Sequence, residues 1–180
     1  MTELDQISDL EILVADFRRA SVADDATSAV RILMEDVVSD PQSIHDIVPE
    51  SFPNDMLLYE DESISIWHCR FVPGQTTPPH DHQVTAIIGI YQGTECNDLY
   101  EMYSGISLRK TDEIILSAGG VLEMSPSTIH AVSCVSIEPC CGIHVYLGRL
   151  TVVERSIFDL DNGCVLPYTE EDYYRIMNAD

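Results

Sequence analysis

The spacing of apolar residues changes once along this chain, near Met56. Before that point Leu4, Ile7, Leu10, Ile12, Leu13 and Phe17 recur at helical spacing, and Ala29, Val30, Leu33, Met34 and Val37 repeat the rhythm. Such a stripe lies on one face of a helix, so residues 1–50 are predicted to be helical. The Asp40-Pro41 step ends the second segment, because a proline disfavours helical geometry in the residue before it. A short helical piece over residues 41–48 is expected before Pro49 and Pro53.

From Met56 the period falls to two. MLLYEDESISIWHCRFVPG reads as two strands around an acidic turn, with Ile64, Ile66 and His68 alternating against Ser63, Ser65 and Trp67. Further short strands follow in TAIIGIYQG, CNDLYEMY, EIILSAGG, VLEMS, HAVSCVS, CGIHVYLGRL and ERSIFDL, with Pro, Gly, Asn or Asp between them. Many brief strands with regular turns predict a mainly β fold, a jelly-roll barrel over residues 56–168, with the helices covering one outer face or one end. The tail, YTEEDYYRIMNAD, reads as a short helix or a loosely held terminus. At 180 residues the chain suits one core, so residues 1–180 are expected to form one domain.

Charge narrows the partners. The chain has 31 acidic residues against 9 basic ones, a formal charge of −22, with Lys110 as its one lysine. That field repels nucleic acid and anionic membrane, so neither is an expected partner. No stretch has the ~18 apolar residues of a membrane span. The acidic start lacks the basic region and apolar run of a signal peptide, which makes the cytoplasm the expected compartment, with reduced thiols. Adjacent Cys140 and Cys141 accordingly read as buried structural thiols. Monomer and homo-oligomer are both compatible with the sequence. An anionic substrate approaching such a surface needs a local positive centre, which a metal ion or an arginine supplies.

The chemistry concentrates in Gly74-Gln-Thr-Thr-Pro-Pro-His80-Asp-His82. In a strand, residues two apart point the same way, so His80 and His82 can aim at one point, and Pro78 and Pro79 stiffen the chain before them. This stretch resembles the first motif of the cupin superfamily: a glycine, five residues, H-x-H, a glutamate, then a glycine. Gly74, His80, His82 and Gly93 match, and Ala86 stands in the glutamate's place. Gly120, Pro126 and His130 answer to the second motif, with one residue fewer between proline and histidine and Cys134 where asparagine is usual. The resemblance implies a metal held by His80, His82 and His130: iron(II), with zinc or nickel as alternatives in the protein as isolated. Three neutral imidazoles leave the +2 charge uncompensated and positions open, which suits an anionic thiolate with O2 beside it. Glu95 is a weaker candidate for the missing carboxylate.

PPHDH, AIIGIYQGTE, HVYLGRL and SIFDLDNG also resemble the bacterial cysteine dioxygenase family of cupins, over roughly residues 64–168. The resemblance implies an iron(II) thiol dioxygenase that converts a small thiol carboxylate, of the 3-mercaptopropionate or cysteine type, to its sulfinate with O2. It implies a catalytic Tyr146 oriented by His144, from an S-x-H-x-Y element whose serine is Gly142 here. Parity supports the grouping, since 142, 144 and 146 share one strand face. The substrate carboxylate would pair with Arg155, nine residues beyond the tyrosine, or with Arg70 on the strand leading to the metal motif. Ile88, Ile90 and Val145 are candidate cavity walls. No cysteine stands near Ile87, so no Cys–Tyr crosslink is expected. His45 reads as exposed, and His68 as a core or surface residue rather than a metal-site neighbour. The alternatives are another metal-dependent cupin enzyme (a non-thiol dioxygenase, isomerase or lyase) or a non-catalytic metal- or ligand-binding cupin.

Overall fold

A computed structural model describes residues 3–48, 51–104 and 107–177, with side chains described from residue 9 onward. The expected contributions of Leu4 and Ile7 to the first helix stripe, and the last three residues of the tail, lie outside what it describes. Three helices come first: α1 (Glu3–Ser21), α2 (Ala26–Ser39) and α3 (Pro41–Ile47). Asp25 caps α2, its side chain accepting the Ser28 N–H at 3.1 Å, and Pro41 opens α3 where a missing N–H costs nothing. Ten strands follow: β1 (Asp55–Glu60), β2 (Ser65–Phe71), β3 (Ala86–Gln92), β4 (Thr94–Ser104), β5 (Ser107–Ser117), β6 (Val121–Met124), β7 (Ile129–Cys134), β8 (Cys140–Tyr146), β9 (Ser156–Asp159) and β10 (Cys164–Pro167). A last helix, α4 (Glu170–Met177), ends the described chain.

The strands form a five-stranded antiparallel sheet in the order β1-β2-β8-β3-β6, a three-stranded sheet β5-β4-β7 and a hairpin β10-β9. The segment around His80 joins the last two. His80 bridges His130 of β7 on one side and Ile157 of β9 on the other. The second wall of the barrel therefore runs β5-β4-β7, the His80 segment, β9, β10. That interleaved order is a mainly β, cupin-type jelly-roll barrel preceded by helices.

Two apolar layers result. Inside, Ala86, Ile88 and Ile90 of β3 pack with Leu116, Met124, Cys134, Cys140, Tyr146 and Leu150. On the outer face of the five-stranded sheet, Phe17, Val30, Met34, Val38 and Ile44 of the helices pack on Ile64, Ile66, Ile87, Tyr91, Ile143 and Val145. Every residue of β8 is thereby buried, on both faces. Each fully buried Ile or Phe in these layers contributes roughly 1.5–3 kcal/mol. Val145 belongs to the outer layer, so it does not wall the inner cavity; its odd position on β8 points it at the helices.

Most predicted strands appear, with two instructive departures. β5 begins at Ser107, seven residues before the apolar run that starts at Ile114, because its polar start pairs with the end of β4 in a long hairpin. The Cys164–Pro167 strand carries no alternating pattern and a proline, and it exists only through its pairing with β9.

Candidate metal centre

The segment carrying His80 and His82 is extended but is not a regular strand. Pro78 and Pro79 have no N–H to donate, so a continuous ladder is impossible there. Their carbonyls are used instead: Pro79 accepts the Phe158 N–H at 2.8 Å, and Pro78 accepts from His80 Nδ1 at 2.9 Å. His80 and His130 exchange both backbone hydrogen bonds, at 2.9 and 3.0 Å, which fixes the two rings side by side. Asp81, between the two histidines, receives the Ser156 N–H at 2.9 Å and donates its own N–H to the Ser156 carbonyl at 3.2 Å. Both glycines flanking this stretch, Gly74 and Gly93, have positive φ (85° and 70°), a conformation glycine adopts without cost.

His80, His82 and His130 converge, with one ring nitrogen from each lying within 4.8 Å of the others. His130 Nε2 and His82 Nε2 are 3.5 Å apart. The outward nitrogens of two rings are engaged: His80 Nδ1 donates to Pro78, and His130 Nδ1 donates to the Asn97 side-chain oxygen at 2.9 Å. That fixes the tautomer with Nε2 lone pairs directed at the centre, the arrangement a metal-ligating histidine needs. Burial holds the rings neutral. It lowers His80 to about 4 and His82 and His130 well below the ordinary imidazole value, with mutual repulsion and nearby Arg155 adding to the effect on His82. The His82 ring keeps its Nδ1 buried without a partner while its Nε2 meets that of His130, and three buried neutral imidazoles converging on one point fit a divalent ion.

The triad opens on a cavity of about 290 Å³. Tyr146 and His144 of β8 line it, with Trp67, Cys69 and Phe71 of β2 beside them. The register puts Trp67 opposite His144 and Cys69 opposite Gly142. Tyr146 packs its ring 4.9 Å from that of His82, and its hydroxyl lies 3.4 Å from His144 Nδ1. Burial pushes the Tyr146 phenol well above its usual value, so it stays a donor at neutral pH. His144 is lowered to about 3, by burial first and then by His68 and His80.

Ala86 faces this interior as the register partner of Tyr146. The missing serine at 142 also has a structural reason. A Cβ there would lie 2.9 Å from the Gly89 carbonyl and from Ile90 Cδ1, and 3.3 Å from His144 Nε2. Ile90 fills that space, and His144 Nε2 is buried without a partner.

Arg155 lines the same cavity, between β8 and β9, with its guanidinium 3.3 Å from the Tyr168 ring centroid. Arg70 does not. It projects from the opposite face of β2 into a separate recess with His45, Tyr91 and Cys141, donating to the Phe52 carbonyl at 3.3 Å. Strand parity decides this: position 70 alternates with Cys69 and Phe71, which face the metal side. His68 shares the outer face, buried and 2.9 Å from the Tyr91 hydroxyl, and His45 is exposed on α3. Glu95 is not a ligand; its carboxylate accepts from Asn97 Nδ2 at 2.8 Å. Ile88 and Ile90 lie in the inner layer packed against Tyr146.

Other residues at or behind the cavity are not singled out by the sequence, among them Asn97, Asp55, Cys69 and Tyr173. Asn97 holds His130, a role its place two residues from Glu95 on a polar-apolar strand could have signalled. Asp55 lies at the rim, accepting from the Tyr174 hydroxyl at 2.6 Å. Cys69 is an inner-face thiol. Tyr173 of α4 is buried with its ring centroid 5.9 Å from that of His80, so the tail closes the cavity as an ordered helix.

The sequence matches no protein-family model. Among solved structures the chain is similar in fold to an uncharacterised conserved protein with a double-stranded β-helix domain from Klebsiella pneumoniae, at 15% identity over 63% of this chain and 86% of that one (TM-score 0.48). A cupin-like protein from Thermotoga maritima shares 20% identity over 70% of this chain and 85% of its own (TM-score 0.45). A cupin-family protein from Methanocaldococcus jannaschii shares 11% over 58% and 89% (TM-score 0.47). The strand order and the helices that precede it give the cupin-type jelly-roll fold independently of these likenesses. Among the described residues, no helix is long and apolar enough to cross a membrane.

Proposed function

We propose that the chain is an iron(II)-dependent thiol dioxygenase for a small thiol carboxylate of the 3-mercaptopropionate or cysteine type. The observation that carries this reading is the convergence of His80, His82 and His130 on one cavity that also holds Tyr146 and Arg155. Iron(II) held by the three imidazoles would supply the coordination of sulfur and O2 and the electron transfer between them.

The remaining work falls to side chains. Arg155 pairs with the substrate carboxylate through its planar fork, and stacking on Tyr168 keeps that fork from swinging. Tyr146 donates its hydroxyl hydrogen towards the reacting oxygen atoms, and the neighbouring His144 limits its orientations. Tyr173, Leu150 and Val153 shield the site from bulk water. The net reaction adds both atoms of O2 to the thiol sulfur: sulfur is oxidised, oxygen is reduced, and the thiol proton leaves to solvent. The cationic centre and Arg155 also answer the electrostatic problem set by the −22 surface, since each attracts an anionic substrate once it enters.

The test is oxygen uptake by the iron-loaded protein over a panel of small thiols, with sulfinate measured by mass spectrometry. The expected result is one O2 consumed per sulfinate formed, only with iron present and with carboxylate-bearing thiols preferred. Absence of thiol-dependent uptake by protein carrying one iron per chain would overturn the proposal.

A further inference from the structure

Ala86 leaves the metal site without a carboxylate ligand, yet a buried carboxylate lies one amide away. Glu95 and Asn97 sit on the same face of β4, and both are fully buried. His130 Nδ1 donates to Asn97 Oδ1 at 2.9 Å, and Asn97 Nδ2 donates to Glu95 Oε1 at 2.8 Å. The amide thus connects a metal-facing imidazole to an acid. The other carboxylate oxygen, Oε2, is buried with no partner, and no lysine or arginine pairs with Glu95 among the described residues.

The ionisable groups around Glu95 do not supply its counter-charge. Cys69 of β2 and Cys140 of β8 are thiols that burial holds protonated, and Cys134 of β7 is its register partner. Burial lifts the Glu95 carboxyl to about 7. A buried charge left uncompensated is costly, so a positive centre reached through Asn97 is the partner this group lacks.

We propose that Glu95 is the charge partner of the metal centre, a positioning residue that acts through Asn97 on His130. An ionised Glu95 polarises the Asn97 amide, makes its oxygen a better acceptor and raises the donor strength of the His130 imidazole. The negative charge absent from position 86 is restored at one remove, leaving the open coordination positions free. The inference rests on the three-histidine site of the proposed function and is independent of the substrate.

The test measures cobalt(II) binding to the metal-free full chain by calorimetry, with visible absorption reporting coordination. Glu95→Gln keeps shape and removes charge, and it is expected to weaken cobalt binding about 10-fold, within the range usual for groups that hold a ligand. The absorption bands are expected to be retained. Asn97→Leu is expected to weaken binding at least as much, and the double variant no more than Asn97→Leu alone. At pH 8 the metal-free Glu95→Gln protein is expected to be at least as stable as the wild type, because an unpaired buried charge has gone. Equal cobalt affinity in wild type and Glu95→Gln would overturn the proposal, as would an affinity loss accompanied by destabilisation of the metal-free protein. A wild-type protein that binds no cobalt would overturn the metal site itself.

Discussion

On the inner face of the five-stranded sheet Tyr146 lies 3.4 Å from His144, with Arg155 and Cys69 lining the same cavity. On the outer face Tyr91 lies 2.9 Å from His68, with Arg70 and Cys141 lining a recess of about 300 Å³. The two sets have nearly the same residue types, and the outer Tyr–His contact is the tighter one. Burial lowers the histidine on both sides, His144 to about 3 and His68 to about 4. What differs is what else is present. The inner pair stands beside three converging imidazoles, and the outer pair sits under apolar helices. Each pair leaves one ring nitrogen buried without a partner, so the Tyr–His contact by itself does not distinguish the two faces.

Substitutions in matched pairs test that comparison. The largest difference is expected at the histidines. His82→Ala should abolish stoichiometric metal binding and thiol oxidation, whereas His68→Ala should keep one metal per chain and lose only stability, about 1–3 kcal/mol from the lost Tyr91 contact and the space left. Metal analysis and chemical denaturation read the two effects; metal loss in His68→Ala would erase the distinction between the faces.

Next come the tyrosines. Tyr146→Phe should lower kcat about 100-fold if its hydroxyl serves the reacting oxygen, while Tyr91→Phe should leave kcat unchanged and cost about 1 kcal/mol of stability. A smaller contrast is expected at the arginines. Arg155→Ala should raise KM for a carboxylate thiol roughly 10-fold or more and barely affect cysteamine, which has no carboxylate; Arg70→Ala should change neither.

Acid should blur the two faces in the metal-free protein. Histidines with folded values below the unfolded 6.5 stabilise the fold fully above that value, and the contribution is lost as pH falls towards the folded value. For His80 and His68 that window runs from 6.5 down to about 4, and each ring withdraws up to roughly 3 kcal/mol across it. A bound metal protects only the inner rings, so cobalt(II) should move the acid-unfolding midpoint downward in wild type. The midpoint should not respond to cobalt in His82→Ala. Gly142→Ser acts on stability alone. Crowding against the Gly89 carbonyl should cost about 1–3 kcal/mol, and Ile90→Val in the same chain should recover part of it.

Local pattern alone settled much of this molecule. Helical spacing before Met56 and strand spacing after it place the helices and most strands, because a side chain's period reports which face its backbone must bury. The same parity placed Gly142, His144 and Tyr146 on one face, and the resemblance to the two cupin motifs marked His80, His82 and His130, the three rings that converge. The sequence also established the −22 charge that any anionic substrate must overcome.

Other features depend on which segment lies next to which, and no local pattern encodes that. Arg155 and Arg70 are both candidates in the sequence, with Arg155 favoured; the pairing of β2 with β8 turns Arg70 away from the three histidines, and Arg155 lines their cavity. Asn97 reaches His130 because β4 pairs with β7, across a gap of 33 residues in the chain. Tyr173 meets His80 only because the tail helix folds back over the barrel mouth. The residue types that can do the chemistry follow from composition and period. Which of them share one cavity is decided by long-range hydrogen-bonded pairing and by the packing of distant segments.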